Sequence, residues 1–205
     1  MPRQPGYGKN PRSAPGARLT GGEAAGRRLL TESAPDLRPA TGLVRAACFN
    51  ILGNRVLDAD VLDLFAGVGS LGLEALSRGA RRATFVEIAR PRVGLVQANL
   101  GALGWSERGE VVVGEALAWL RREDAALARF GLVLLDPPFR ERGPELFLAV
   151  LRQLGLVAQA VPDWDPVVVG EHHRKLSVPT AAGALNCVRT ARYGTSVLSF
   201  YRRPT

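Results

Sequence analysis

Val61-Leu62-Asp63-Leu64-Phe65-Ala66-Gly67-Val68-Gly69-Ser70 is the stretch that decides the fold of this chain. An apolar run enters a glycine-rich turn and continues into residues 71–77, whose apolar side chains recur at helical spacing. A buried strand that turns through glycines into a helix brings bare backbone close to a ligand at the carboxyl end of the strand. The stretch therefore predicts the first βα unit of a nucleotide-binding α/β sheet.

Short apolar runs alternate with longer amphipathic segments from Val56 onward, which is typical of repeated βα units. The strands, nearly unbroken in apolar character, indicate a parallel sheet buried on both faces. Two final apolar segments, Leu185–Tyr193 and Thr195–Tyr201, face each other across Gly194 with no room for a crossover helix, so they predict an antiparallel hairpin. We predict a doubly wound, Rossmann-like α/β sheet, mostly parallel, with a C-terminal antiparallel hairpin. Its strands are expected at 61–65, 83–87, 110–113, 132–135 and 167–170, and its helices near 70–78, 90–103, 115–128 and 144–154.

The chain before this sheet divides into two parts. Residues 1–16 are rich in proline and glycine and lack apolar periodicity, so we expect a disordered basic tail. Residues 17–53 predict a small extension, with a β-hairpin over 17–30 and a helix that Thr41 caps and that runs to about Leu52. Residues 54–205 are then expected to form the domain that contains the α/β sheet.

The composition is that of an ordinary globular protein, with 205 residues, 46% hydrophobic and 22% charged. Its apolar runs are far shorter than the roughly 20 residues that a membrane-spanning helix needs, and the amino terminus lacks a secretory signal. Cys48 and Cys187 have no Cys or His nearby at metal-ligand spacing. We therefore expect a cytoplasmic monomer without a metal site or a membrane partner.

Charge is distributed unevenly. The net charge of +8 divides into +5 over residues 1–45, −3 over residues 46–171 and +6 over residues 172–205. Two basic ends around a mildly acidic middle favour a polyphosphate partner such as nucleic acid. The alternative is a generally basic surface that only aids solubility.

The glycine turn is compatible with two cofactors. Gly67, Gly69 and Gly72 spell G-x-G-x-x-G, which also occurs in nicotinamide-binding folds and is weak evidence alone. Asp63 precedes the turn, where its carboxylate would attract a sulfonium cation and disfavour a pyrophosphate. The residues therefore favour S-adenosylmethionine.

Two further acids follow strands. Glu87 ends the second predicted strand, where a carboxylate can bind a ribose diol. Glu115, after the third, could reach an adenine edge or could complement the dipole of the next helix. The other residues predicted to contact the cofactor are Phe65, Ala66, Ser70 and Ala116.

The segment Asp136-Pro137-Pro138-Phe139 follows the fourth predicted strand. Prolines donate no backbone hydrogen bond and restrict φ, so carbonyl oxygens here become rigid acceptors. An exocyclic amine of a base is a poor nucleophile because its lone pair is delocalised into the ring. Asp136 and the Pro137 carbonyl could each accept one N–H while Phe139 stacks on the base, which predicts in-line methyl transfer to that nitrogen. The alternative is a strand stop with a proline-rich turn, which leaves the flanking acid and aromatic ring unexplained.

These residues resemble a known family, the bacterial 16S ribosomal RNA guanine-N2 methyltransferases, over residues 17–203. The resemblance implies an S-adenosylmethionine donor, a class I methyltransferase sheet, a guanine 2-amino acceptor in 16S ribosomal RNA and an amino-terminal hairpin that grips RNA. The matching segments are Leu37-Arg38-Pro39, Val44-Arg45, Phe49-Asn50-Ile51-Leu52, 61–67, 71–80, Phe85-Val86-Glu87, 136–139, Arg192-Tyr193-Gly194 and Leu198-Ser199-Phe200-Tyr201.

The chain departs from the family pattern in the helix after Pro39, where Ala40, Gly42, Leu43 and Ala46 replace polar residues. That loss bears on substrate identity more than on cofactor use. The substrate residues predicted are Arg38 and Arg45 as phosphate contacts, and Arg192 and Tyr193 beside the target pocket.

We expect the RNA substrate within small-subunit assembly particles. Three alternatives stay open from the sequence: an adenine-N6 methyltransferase of DNA or RNA, a nicotinamide-dependent oxidoreductase, and a noncatalytic RNA-binding assembly factor.

Overall fold

The computed structural model describes residues 18–31, 40–122, 124–138 and 142–204. The helices are α1 (Ala40–Leu52), α2 (Ser70–Ser77), α3 (Arg90–Leu103), α4 (Ala116–Arg122) and α5 (Gly143–Ala160). The strands are β1 (Asp60–Asp63), β2 (Arg82–Glu87), β3 (Gly109–Val113), β4 (Leu132–Leu135), β5 (Val167–His173), β6 (Ala181–Ala182), β7 (Leu185–Tyr193) and β8 (Ser196–Arg202). Short 3-10 helices cover Gly53–Val56, Ser106–Arg108 and Asp124–Arg129.

All eight strands form one sheet in the order β3-β2-β1-β4-β5-β8-β7-β6. The pairs among β1 to β5 are parallel, and β8 pairs antiparallel with both β5 and β7. The predicted α/β fold with a C-terminal antiparallel hairpin is therefore confirmed. The strand order reverses between β1 and β4, and ligands bind at the carboxyl ends of strands at such a point.

Side chains from successive strand residues alternate between two cores, one on each face of the sheet. Val61 and Leu134 belong to the core beneath α1, α2 and α3, whereas Leu62 and Val133 belong to the core beneath α4 and α5. This burial on both faces explains why the strands are almost wholly apolar. Across the part of the chain that the structure describes, none of the helices has the length and apolarity to cross a membrane.

The amino-terminal segment, residues 18–31, packs against the first of these cores. The hairpin predicted over 17–30 takes a reduced form here, with one antiparallel bridge between Arg18 and Arg28. Leu19 and Leu29 are buried in the same core as α2 and α3. The Ser77 carbonyl at the end of α2 accepts a hydrogen bond from the Glu23 backbone N–H at 2.7 Å. The segment therefore closes the carboxyl end of α2 instead of standing apart as a hairpin.

Three predicted helix boundaries differ from the structure. Helix α1 begins at Ala40, one residue before the predicted cap Thr41. The helix predicted over 115–128 ends at Arg122, and a 3-10 helix follows. Helix α5 continues past 154 to Ala160 because its buried stripe includes Leu154, Val157 and Ala158.

The third glycine of the G-x-G-x-x-G pattern packs against a ring. A Cβ atom at Gly72 would lie 2.3 Å from a ring carbon of Phe85, which is fully buried on β2. Overpacking of this kind costs about 1–3 kcal/mol. We expect Gly72→Ala to lower the free energy of unfolding by that amount, measured by urea denaturation.

Gly94 provides the matched control, since it also lies within a helix but a Cβ there would meet nothing within 4 Å. Gly94→Ala should leave stability unchanged or raise it by up to about 1 kcal/mol, because alanine has the higher helix propensity. Equal effects of the two substitutions would contradict the packing role of Gly72.

Candidate active site

A cleft of about 620 Å³ lies where the carboxyl ends of β1, β2, β3 and β4 meet. Parallel strands bring the segments that follow them to one edge of the sheet, so residues distant in sequence meet here. The lining residues are Leu64, Phe65, Ala66, Gly67, Val68, Ser70, Val86, Glu87, Ile88, Arg92, Gly114, Glu115, Ala116, Leu117, Asp136, Pro138, Arg142 and Leu146.

The glycine turn presents bare backbone at the cleft. Gly67 has a φ of 56°, a left-handed conformation that favours glycine, and a Cβ there would meet nothing within 4 Å. Its N–H donates to Glu87 Oε2 at 2.8 Å, and Glu87 Oε1 accepts from the Ala89 N–H at 2.9 Å. The Glu87 carboxylate therefore joins the turn after β1 to the turn after β2, at the border of the cleft.

Asp63 lies beneath the glycine turn instead of in the cleft lining. Its side chain is buried, and Oδ2 accepts a hydrogen bond from the Gly72 N–H at 2.9 Å. Burial raises the pKa of Asp63 to about 7; the Gly72 hydrogen bond opposes this shift and the charge of Glu87 adds to it. Asp63 fixes the first turn of α2 through this hydrogen bond, and its direct contact with the cofactor stays a prediction.

Gly69 is the other predicted cofactor residue outside the lining. It precedes α2 as its N-cap residue with a φ of 86°. Its role is to turn the chain into the helix, because a left-handed backbone at this position favours glycine.

Glu115 stabilises the start of α4. Its Oε1 accepts from the Leu117 N–H at 3.1 Å, and its Oε2 accepts from the Ala118 N–H at 2.7 Å. These bonds satisfy amide groups that have no partner within the helix. Of the two interpretations of Glu115, the structure therefore shows the helix-terminal one, and the residue also lines the cleft.

The loop after β4 borders the same cleft as the glycine turn. Asp136 and Pro138 line it together with Gly67 and Ser70, which confirms the predicted proximity of the two loops. Pro137 is buried and lines a smaller cavity beside Phe147. A Cβ at Gly143 would lie 1.6 Å from the Pro138 carbonyl oxygen, so the start of α5 supports this loop closely. Phe139 lies outside the described residues.

Asp136 has an unusual electrostatic environment. Its pKa is raised well above the ordinary value, first by burial and then by the negative charges of Glu171 and Asp63. A raised carboxyl pKa in a cleft is typical of groups that exchange or accept protons in a reaction.

The residues predicted to contact the substrate lie in different parts of the structure. Arg45 is buried, with Nε bonded to Glu74 Oε2 at 3.2 Å and Nη2 to the Arg18 carbonyl, so its predicted phosphate contact is wrong. Its charge is used inside the protein instead. Arg192 and Tyr193 end β7 at the same sheet edge as the cleft, since Tyr193 pairs with Ser196 and Ser196 with His173 at the end of β5. Arg38 lies outside the described residues.

Several cleft residues were not predicted. Ile88 is 66% exposed at the cleft. In the sequence, an apolar residue directly after the acid that ends a strand is the signal that could have identified it. Arg142, just before α5, and Leu146, within α5, also line the cleft. No local pattern marks them, because their place depends on how α5 returns to the sheet.

The strand order of the sheet distinguishes between two of the enzyme classes that the sequence left open, a nicotinamide-dependent oxidoreductase and a methyltransferase. A dinucleotide-binding sheet continues with a sixth parallel strand beyond the fifth, whereas here β8 enters antiparallel beside β5. With an acid-proline-proline loop beside the glycine turn, this is the arrangement of the class I S-adenosylmethionine-dependent methyltransferases, and the chain is a methyltransferase of that class.

Comparison with known proteins identifies the family. The chain belongs to the family described as Conserved hypothetical protein 95, which matches residues 17–202. Ribosomal RNA small subunit methyltransferase D of Escherichia coli is 33% identical over 186 residues, 91% of this chain and 89% of that protein. The Bacillus subtilis protein YlbH is 30% identical over 186 residues, 91% of this chain and 98% of that protein. The solved structure of the Escherichia coli protein yhhF has a TM-score of 0.73 at 30% identity, covering 91% of this chain and 97% of that one.

The cleft fits S-adenosylmethionine, the cofactor of this class. Its volume lies in the range of about 300–1,000 Å³ typical of small-molecule sites. The open space at Gly67 allows a ligand to approach the backbone, the Glu87 carboxylate can accept from a ribose diol, and exposed Ile88 offers an apolar surface to a purine.

Proposed function

We propose that this enzyme methylates the exocyclic N2 amine of a guanine in small-subunit ribosomal RNA. The observation that carries the proposal is the position of the Asp136-Pro137-Pro138 loop beside the glycine turn, at one cleft, in a chain 33% identical to ribosomal RNA small subunit methyltransferase D. Phe65, Ala66, Gly67, Ser70, Glu87, Glu115 and Ala116 are the proposed cofactor residues.

The chain's own groups would activate the acceptor nitrogen. When bound, S-adenosylmethionine supplies an electrophilic methyl group on a sulfonium centre. Asp136 and the Pro137 carbonyl would each accept one N–H of the amine and so concentrate the lone pair on nitrogen. After attack, the nitrogen carries an extra proton, which the Asp136 carboxylate is placed to accept. Phe139 would stack on the base.

The cofactor's charge suits the environment of Asp136. In the protein alone, burial and two neighbouring acids favour its protonated form. A bound cation nearby opposes those effects and stabilises the carboxylate. A sulfonium bound near Asp136 would therefore lower the pKa of this group and favour the carboxylate form that accepts the proton.

Ribosomal RNA is proposed as the partner on two grounds. The Escherichia coli relative is named for the small subunit, and the two ends of this chain are strongly basic. Basic groups that meet phosphates release counterions and so favour binding. Arg192, exposed at the cleft edge of the sheet, is placed for such a contact. We propose a cytoplasmic monomer that acts on small-subunit assembly particles.

The test is direct. The chain is incubated with S-adenosylmethionine labelled in its methyl group and with small ribosomal subunits that lack the corresponding modification. We expect label in the RNA, recovered as N2-methylguanosine after nuclease digestion. Label recovered as N6-methyladenosine, or no label in RNA while cofactor binding is normal, would reject the guanine proposal.

A further inference from the structure

A second carboxylate lies beside Asp136 on the neighbouring strand. Strands β4 and β5 pair in parallel with Leu135 opposite Gly170, so the next register position places Asp136 opposite Glu171. Neighbouring strands are about 4.8 Å apart. The two acids therefore leave the same edge of the sheet side by side.

The alternation of the strands indicates that both acids lie on one face. Leu134 and Val169, two residues before Asp136 and Glu171, are both in the core beneath α1. The environment of Cys48 in α1 supports the same placement. Burial raises the pKa of its thiol to about 12, and the negative charges of Glu171 and Asp136 raise it further because both acids lie near α1.

Glu171 also borders a cavity beside the Asp136-Pro137-Pro138 loop. It is half-buried and lines a small cavity together with Pro137 and Pro138. A second small cavity, toward α1, is lined by Glu171, Leu135 and Leu71. Glu171 thus lies between α1 and the loop proposed to hold the target amine.

Two adjacent carboxylates are costly for the fold. The charge of Glu171 is, after burial, the largest cause of the raised Asp136 pKa. Like charges at neighbouring strand ends destabilise a sheet, so such an arrangement is typical of a functional site.

The chemistry of guanine provides a use for the pair. Its edge presents the two hydrogens of the N2 amine directly beside the N1–H, three donors in a row. A purine with a 2-amino group but no N1 hydrogen presents a lone pair at that place, as does adenine beside its own amine. A carboxylate placed next to the groups that accept the amine would accept a hydrogen bond from the N1–H of guanine. The same carboxylate would repel the N1 lone pair of the other two bases.

We propose that Glu171 is a specificity-determining residue that accepts the N1–H of the target guanine while the Asp136 loop holds the N2 amine. This inference depends on the proposed function, because it concerns the same base in the same site. It also explains how one acid-proline-proline loop can be restricted to guanine.

The experiment uses the full chain and two substrates. Synthetic small-subunit RNA, assembled into particles, carries guanine or 2-aminopurine at the nucleotide that the wild-type enzyme methylates. 2-Aminopurine keeps the 2-amino group but has no N1 hydrogen. For the wild type, we expect kcat/KM to be on the order of 10- to 100-fold higher with guanine.

Glu171→Gln should bring that ratio close to one, because the glutamine amide can donate to a bare N1. The missing O6 of 2-aminopurine affects both proteins equally, so the change in ratio reports the N1 position. Glu107→Gln removes an exposed acid before β3, at the opposite edge of the sheet, and should keep the wild-type ratio. Thermal unfolding of each variant verifies folding, and Glu171→Asp, which keeps the charge, should retain the guanine preference.

The outcomes are distinguishable. No labelling of the guanine substrate by the wild type would reject the proposed function itself. Normal labelling by the wild type with an unchanged ratio in Glu171→Gln would overturn the role of Glu171 alone. If Glu171→Gln fails to fold, loss of guanine preference in folded Glu171→Asp would overturn the role as well.

Discussion

Asp136→Ala should reduce kcat for methyl transfer by about 10²- to 10⁴-fold, the usual range for a positioned proton acceptor. The substitution removes one of the two acceptors proposed to hold the target amine. Because the glycine turn and Glu87 stay in place, we expect the Kd for S-adenosylhomocysteine to change by only a few-fold. Single-turnover transfer of labelled methyl groups and calorimetric titration measure the two quantities.

Asp136→Asn is the matched control, since it keeps an acceptor oxygen without an ionisable proton. Accepting the proton requires the carboxylate, and the pKa of Asp136 is raised. In the wild type, kcat/KM should therefore fall as the pH decreases through that raised pKa, and Asp136→Asn should lose this acid limb. Full activity in Asp136→Ala would remove the residue from the mechanism.

Glu74→Ala should lower the free energy of unfolding by about 3–5 kcal/mol, the cost of leaving a buried charge without its partner. Glu74 is fully buried in α2 and forms ion pairs with Arg45 at 3.2 Å and Arg78 at 2.7 Å. It also accepts from the Thr20 N–H at 2.8 Å and the Thr20 hydroxyl at 2.6 Å. Without it, buried Arg45 loses its carboxylate and the amino-terminal segment loses two hydrogen bonds.

Urea denaturation measures this effect, and an exposed ion pair gives the comparison. Glu23 pairs with Arg108 at 2.8 Å, but its side chain is 59% exposed. Glu23→Ala should cost less than about 1 kcal/mol. A loss below 1 kcal/mol in Glu74→Ala as well would show that the buried network does not hold the segment to α2.

The sheet and its two loops could be predicted because their signals are local. A parallel strand buried on both faces is a continuous apolar run, and β1, β4 and β5 each contain one. The glycine turn and the Asp136 loop directly follow such runs. Once β1 and β4 are adjacent, their loops must lie at one edge of the sheet.

The errors concern residues whose roles depend on distant partners. Arg45 looked like a surface cation because its partner, Glu74, is 29 positions away in sequence. A glutamate between Leu73 and Ala75 in a buried stretch of α2 is the signal that could have revealed it. Asp63 also has a role that local sequence did not indicate, because its carboxylate accepts a hydrogen bond from the Gly72 N–H of α2. The pairing of Asp136 with Glu171 needed the β4–β5 register, which no local pattern contains.

The docking of residues 18–31 limits how this protein can be reshaped in evolution. Backbone and side-chain groups of Ser77 bond to the segment at Gly21, Glu23 and Ala24, and the Asn99 amide bridges the Leu30 carbonyl to the Val68 carbonyl in the glycine turn. Because residues 18–31 share a hydrophobic core with α2 and α3, they cannot be exchanged between enzymes as an independent unit. Any recombination that replaced this segment would need to carry compatible changes in α2 and α3.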